Sequence, residues 1–557
     1  MPLASPLKLL VFGLDGADYD LTAGWIESGH LPNLASLAAR GSLGPLATVS
    51  PPITPAAWTS LITGKNPGKH GVYAFHRLWA ESDELTLAPP SRAVTVFRIL
   101  EAAGLRVGVF NVPWTYPPEP LEGFVVSGAG APQVDASIGH PEGIVEALVE
   151  AVGPYDVWPT RIIAGEQLDD GILEQQMQLV TDGLLALLAQ FPCDAVMSGS
   201  MLPDMVQHGF FGNRSAMTTS GEQLEDAIRH TYERVDAALG RLLRQACDEN
   251  TVVIVASDHG GVPADRLVNL EQLFIERGYL ARRPKEGATR ADSVRRSLAR
   301  PALALWTAAK AALPAFVVDR LRGTARRARG DLARGFSSWA TDWSRTVAAP
   351  WSNNGTIRIN LKDRDPQGIV DAEDYGKVRE EIAGFLTSLR DPEDGGPVFE
   401  AIHRQEELFE GPYAEEGPDL QLEGRDWRYV MPTARHPETL DLLEVQPEPI
   451  VRLERPWGSH GPKGILLMAG AGVEPGVTTE GASLMDVAPT LLALLDVPVP
   501  SDMDGRVLTE ALRPAARSRV RSCAPLPLRS PADERHVAYS AEEQQQIERR
   551  LAEMGYI

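Results

Sequence analysis

Thr251-Val252-Val253-Ile254-Val255-Ala256-Ser257-Asp258-His259-Gly260-Gly261 decides how this chain folds. Its apolar, mostly β-branched run shows no polar alternation, which reads as a strand buried on both faces. The run then breaks into Ser-Asp-His and two glycines, the mark of a strand entering a tight loop. The same pattern recurs at 9–16, Leu-Leu-Val-Phe-Gly-Leu-Asp-Gly. Other strand-like runs fall at 107–112, 124–127, 194–198 and 464–469. Amphipathic helical stretches such as 172–191, 222–247 and 485–495 lie between and after them. Strands alternating with helices predict an α/β fold, doubly wound, with a mostly parallel central sheet and helices on both faces.

Composition narrows the function. The chain has 557 residues, 43% of them hydrophobic, enough for a large core. With 53 basic against 75 acidic residues the formal net charge is −22, so nucleic acid is not an expected partner. Cys193, Cys247 and Cys523 are too scattered for a disulfide framework or a zinc knuckle. The run at 9–14 stops at Asp15 without a signal-like cleavage site, and the expected location is cytoplasmic. One segment departs from the rest: residues 281–330 hold 13 Lys and Arg against 3 Asp and Glu, which marks an insertion. Its apolar centre, 301–318, is shorter than the ~20 residues needed to span a bilayer and is interrupted by Pro314. A solvated helical lobe, an anion-steering lid and an interfacial helix giving weak membrane-peripheral contact are the three readings of it.

Four clusters carry chemistry, and three of them follow strands. Asp15 sits where a parallel strand opens into the ligand crevice, although a nucleophile, a ribose ligand or a turn residue would sit there too. Asp204 and His208, spaced i and i+4, share one helical face and can reach one metal; a solvated face is the alternative. Asp258 and His259 can ligate one ion, or be a capped turn with a surface histidine. His460, between Ser459 and Gly461 just before the run at 464–469, gains weight only from the others. Three Asp and three His suffice for two divalent ions, with Zn²⁺ expected and Mn²⁺ the second candidate. Two such ions can clamp an in-line phosphoryl displacement by a hydroxyl. The candidate hydroxyl is Thr54, ahead of a helix running to about 63; the structural alternative is an N-cap threonine before Pro55, and the two roles are compatible.

These pieces resemble, in order and spacing, the type I phosphodiesterase/nucleotide pyrophosphatase family of the alkaline phosphatase superfamily. The matching stretches are LDG at Asp15, ITPAAWTSLITGKNPGKHGV from Ile53, PDMVQH from Pro203, SDHGG from Ser257 and GSHG from Gly458, supported by DVAPTLLALLDVPVPSDMDG from Asp486. The resemblance implies Thr54 as nucleophile, passing through a phospho-threonine intermediate that is then hydrolysed. It implies one metal held by Asp15, Thr54, Asp258 and His259, and another by Asp204, His208 and His460. The implied activity is hydrolysis of a phosphodiester or phosphoric anhydride in a phosphorylated small molecule; the lid and interfacial readings of 281–330 together would suit a lipid-linked substrate. A phosphomonoesterase or phosphonate hydrolase is the alternative within the superfamily. From another class, the alternative is a non-catalytic, membrane-peripheral binding protein on a hydrolase core.

One departure bears on substrate. Family nucleotide pyrophosphatases place a phosphoryl-binding Asn where this chain has Phe75. Replacement donors are Lys69, His76, Arg77 and, first on placement, Asn111 at the end of the run 107–112. The expected divisions are 1–265 for the first part of the core and 266–340 for the basic helical insertion. The rest of the core, with the last metal ligand, is expected at 341–515, and a C-terminal extension with a short helix at 516–557.

Overall fold

Leu9–Leu14 lies in the middle of the molecule because all five of its side chains, Gly13 having none, are apolar and buried in the main core. The computed structural model describes residues 6–77, 86–88, 90–164, 167–284, 339–433, 448–534 and 539–553. In chain order, the central sheet is built from β1 (Leu9–Leu14), β2 (Gly41–Ala47), β3 (Val107–Val112), β4 (Phe124–Ser127), β5 (Gly139–His140), β6 (Ala195–Ser200), β7 (Val252–Ala256), β8 (Lys463–Ala469) and β9 (Ala482–Ser483). In space these nine strands run β9-β2-β8-β7-β1-β6-β3-β4-β5. The block β7-β1-β6-β3-β4 is parallel throughout. The late strand β8 enters antiparallel between β7 and β2. β1, β3, β6 and β7 are buried along their whole lengths, as strands covered on both faces must be.

Two glycines in the first strand and its loop are required by what lies beside them. A Cβ on Gly13 would sit 2.3 Å from the ring of Trp58, a fully buried side chain on α1 (Thr54–Thr63). Gly16 adopts φ +68° and passes so close to Asp204 that a Cβ would lie 2.6 Å from the aspartate's own. Gly13→Ala is therefore expected to destabilise the fold by about 1–3 kcal/mol, the range for an overpacked core. A denaturant midpoint unchanged from wild type would contradict that packing.

Some sequence expectations change in the folded chain. The stretch 172–191 is not one uniform helix: α-helical Asp170–Gln178 and Leu184–Gln190 flank a wider π turn at Leu179–Gly183. A second hydrophobic core, separate from the one around the central sheet, gathers residues such as Phe274, Ile357, Ile359, Ile382, Leu386 and Leu420. Its four-stranded sheet runs in the order Ala348–Ser352, Thr356–Ile359, Leu420–Gly424, Phe399–Arg404.

The basic insertion lies outside the described residues, apart from its ends. There Arg282–Pro284 pairs antiparallel with Trp339–Thr341, so the chain leaves and returns at one place. No helix among the described residues is long and apolar enough to cross a membrane. The helix expected after Ser540 is present at Ala541–Glu553. Its capping box is formed: the Ser540 N–H donates to Glu543 Oε2 at 2.7 Å and the Glu543 N–H to Ser540 Oγ at 3.2 Å. Ile547 and Leu551 bury that helix against the main core.

Candidate metal centre

Because β7, β1 and β6 are parallel neighbours, their C-terminal ends open on the same edge of the sheet. Asp15 follows β1, Asp258 and His259 follow β7, and Asp204 and His208 lie on α2 (Leu202–Phe210), which follows β6. His460 comes from further along the chain. It lies on the strand Ile450–Gly461, paired antiparallel with Gly260–Val268 so that His460 faces Gly261. Ladder pairing thus holds this residue in register.

The six side chains meet as two groups, Asp15, Asp258 and His259 in one and Asp204, His208 and His460 in the other. Each group's ligand atoms lie within 4.8 Å of one another. His259 Nε2 is 3.5 Å from Asp15 Oδ1 and 3.3 Å from Asp258 Oδ2. His208 Nε2 is 3.4 Å, and His460 Nε2 3.8 Å, from Asp204 Oδ1. The groups adjoin, since the His259 and His460 rings stack with centroids 3.9 Å apart.

Hydrogen bonding fixes the tautomers. The Nδ1–H of His208 donates to the Gly458 carbonyl at 2.7 Å, that of His259 to Gly260 at 2.9 Å and that of His460 to Pro52 at 2.6 Å. A carbonyl only accepts, so each Nδ1 carries its proton and each Nε2 turns a lone pair into the site. The Nε2 atoms of His208 and His460 face each other at 3.3 Å beside an acceptor carboxylate, a contact that requires a proton or a cation between them.

Among the described residues, the buried atoms with no hydrogen-bond partner include four of this centre: Asp15 Oδ1, Thr54 Oγ1, Asp258 Oδ2 and His259 Nε2. All four residues are at most 1% exposed. Buried polar groups left unmatched cost about 1–3 kcal/mol each, so four in one place call for a common partner. The donor set, two carboxylates, one imidazole and one hydroxyl, suits a divalent ion. Burial, then the Asp258 and Asp204 carboxylates, raises the Asp15 carboxyl well above its ordinary value. Burial lifts Asp258 to about 6 against the pull of His259. Asp204 moves the other way, because the imidazoles of His208, His460 and His259 outweigh its burial.

Thr54 corrects another expectation. It begins α1, but its side chain caps nothing; Ile53 occupies the cap position and the Thr54 hydroxyl is unpartnered. One turn further along α1, the Trp58 indole N–H donates to Asp15 Oδ2 at 2.8 Å. The sequence reading missed Trp58, because an apolar residue on a buried helix gives no signal of the carboxylate it will meet. Gln207 was missed too; its amide donates to the Gly16 carbonyl at 2.6 Å and ties α2 to the Asp15 loop. Trp58→Phe keeps the packing and removes that donor. It is expected to weaken metal retention by about 10–100-fold, the usual effect of losing a ligand's orienting partner. Dialysis against a competing chelator would measure it, and wild-type retention would contradict the role.

The substrate-donor candidates are placed differently from one another. Lys69 Nζ lies 2.5 Å from Asp504 Oδ1 and donates to the Asp502 carbonyl, past the end of α1 opposite Thr54. His76 turns its Nε2 toward Glu548, 4.0 Å away on the C-terminal helix. The Arg77 side chain lies outside what is described. Asn111, with left-handed φ of 54°, ends β3 beside β6 and donates from Nδ2 to the Gly199 carbonyl at 3.0 Å. Phe75 is buried edge-on against Trp114.

Residues 9–463 match the family model described as type I phosphodiesterase/nucleotide pyrophosphatase. No curated protein matches the chain by sequence. Among solved structures, phosphonoacetate hydrolase from Sinorhizobium meliloti 1021, in complex with phosphonoacetate, is similar at TM-score 0.50 and 16% identity, over 87% of this chain and 94% of that one. The same enzyme in complex with phosphonoformate gives the same values. Mouse ectonucleotide pyrophosphatase/phosphodiesterase 5, in complex with AMP, is similar at TM-score 0.48 and 12% identity, over 91% of this chain and 100% of that one.

Proposed function

Since the chain belongs to the type I phosphodiesterase/nucleotide pyrophosphatase family, a family of phosphoester hydrolases, we propose that it is a two-metal phosphohydrolase cleaving a phosphodiester or phosphoric anhydride. The observation that carries this reading is the Thr54 hydroxyl, buried and unpartnered in company with unpartnered atoms of Asp15, Asp258 and His259. Asp15, Thr54, Asp258 and His259 would hold one divalent ion, zinc or manganese, and Asp204, His208 and His460 the other. Bound there, such ions supply Lewis acidity that favours the threonine alkoxide and offsets charge on phosphoryl oxygens.

The protein's own groups have definite tasks in this scheme. Thr54 Oγ attacks phosphorus, the Oγ–P bond forms, and the P–O bond to the leaving group breaks. Water then attacks the phospho-threonine, returning the Thr54 hydroxyl and releasing the phosphoryl product. The first turn of α1 offers backbone N–H groups to the phosphoryl oxygens. Asn111 is the proposed side-chain donor in place of the family Asn. His208, His259 and His460 each hold their proton on Nδ1 against a carbonyl and so turn Nε2, not Nδ1, toward the proposed ions.

Phe75 favours a second reading, a phosphomonoesterase or phosphonate hydrolase of the same superfamily, because a buried phenyl ring cannot bind a phosphoryl oxygen. A panel of p-nitrophenyl monoester, diester and phosphonate substrates separates the two, assayed on metal-stripped protein and again after adding Zn²⁺ or Mn²⁺. Turnover is expected only with metal, and substrate preference decides between the readings. No turnover of any substrate by protein carrying both ions would end the hydrolase proposal. Stripping is also expected to lower the melting temperature, since an ion at 100 times its Kd stabilises by about 2.7 kcal/mol.

A further inference from the structure

Residues 113–116 leave the C-terminal end of β3 and residues 128–131 that of β4, on the edge of the parallel block where Asp15 and Asp258 also follow their strands. β3 reaches that edge through a bulge: Phe110 pairs with Val126 and Val112 with Ser127, so Asn111 is the extra residue. Its φ of 54° and the 62° of Trp114 are left-handed, a conformation that asparagine tolerates and a bulky indole adopts only under strain. The Asn111 backbone runs so close to Gly128 and Gly199 that a Cβ on either would fall 2.6 Å from it. Strain of this kind persists only where the surroundings over-determine it, and bulges beside functional sites re-aim a side chain. The side chain re-aimed here is Asn111, whose bond to the Gly199 carbonyl uses one of the two hydrogens on Nδ2.

The C-terminal helix supplies part of what holds that turn, and it lies beyond the residues 9–463 that match the family model. Just ahead of it the Tyr539 ring stacks on Tyr116, centroids 5.6 Å apart, and the Tyr539 hydroxyl donates to the Gly130 carbonyl at 3.2 Å. Within its first turn Glu543 accepts from the Tyr116 hydroxyl at 3.2 Å. Glu548 stands 4.0 Å from His76, whose neighbour Phe75 meets Trp114 edge-on. Ile547 and Leu551, both fully buried, seat the helix on the main core. One element more than 400 residues along the chain thus grips the turns after both β3 and β4.

We propose that the C-terminal helix, with Tyr539 ahead of it, is a strap that holds the Asn111–Trp114 turn in its strained shape, so that Tyr116, Tyr539 and Glu543 are positioning residues for binding a phosphoryl group. The assignment rests on the hydrolase reading through Asn111, the phosphoryl donor of that scheme. Titration calorimetry of the full, zinc-loaded chain with inorganic phosphate tests it, with circular dichroism to confirm folding. Asn111→Ala is expected to weaken phosphate about tenfold, as loss of a hydrogen bond to a charged group would, and Tyr539→Ala/Glu543→Ala to do the same. The three substitutions together should cost no more than Asn111→Ala alone, because the strap acts through that side chain. Tyr116→Phe/Tyr539→Phe keeps the packing, removes both hydroxyls and reads the same cycle at less risk to folding, with an expected loss of about threefold. Wild-type affinity in the strap variants, losses that simply add to that of Asn111→Ala, or undiminished binding by Asn111→Ala would overturn the proposal. Turnover is a separate readout: phosphate binding that follows the expected cycle in a chain that hydrolyses nothing would sink the hydrolase reading and leave the strap standing.

Discussion

Thr54→Ala is expected to lose at least the ~10²–10⁴-fold in turnover that follows removal of a catalytic group, and to fold as well as the wild type. The two halves of that expectation rest on one observation. A threonine that capped its helix would cost about 1 kcal/mol on truncation. This hydroxyl caps nothing and has no partner in a site 1% exposed, so its removal takes away an uncompensated polar group. In metal-free protein the variant should therefore melt no lower than the wild type. With metal bound, the loss of one ligand should make its melting temperature rise less on zinc addition. Purified Thr54→Ala protein that turns over near the wild-type rate would remove Thr54 from the mechanism.

The second large effect concerns metal content. Wild-type protein is expected to carry two divalent ions per chain, and single alanine variants should separate them. His208→Ala or His460→Ala should empty one position, because Asp204 would keep only one of its two imidazole neighbours. Asp258→Ala or His259→Ala should disturb the other, whose ligand atoms are unpartnered without an ion. Elemental analysis of wild type and the four variants, with circular dichroism to confirm folding, measures this. A folded wild type holding one ion, or none after growth in supplemented medium, contradicts the two-metal scheme.

Much of this was legible in the sequence, for a local reason. Strand–loop boundaries such as Leu14-Asp15-Gly16 and Ala256-Ser257-Asp258 announce themselves through hydrophobicity that stops abruptly, and parallel neighbours then bring those ends to one edge. Partners set by distant pairing were not legible. Strand β8 enters between β2 and β7 from more than 200 residues away, and nothing near Lys463 encodes that position. The Asp15–Trp58 bond depends on Gly13 leaving room for the indole, a relation between three residues rather than a property of any one. Lys69 was a candidate phosphoryl donor, whereas Asp504, 435 residues on, holds it. The second core was hidden because its members are spread over short strands and two helices, Leu270–Arg277 and Tyr375–Thr387, on either side of a basic insertion, without one strong period.

The Pro52 carbonyl serves two clients. It accepts from the His460 ring at 2.6 Å and from the side-chain amide of Asn354 at 3.3 Å. Asn354 lies in the turn joining Ala348–Ser352 to Thr356–Ile359, strands of the four-stranded sheet. A single oxygen two residues before Thr54 thus orients an imidazole of the candidate metal centre and bonds to the turn of the second core's sheet. Thermodynamic reciprocity follows from such sharing: by whatever factor an ion at Asp204, His208 and His460 tightens the seating of that sheet, correct seating of the sheet tightens the ion.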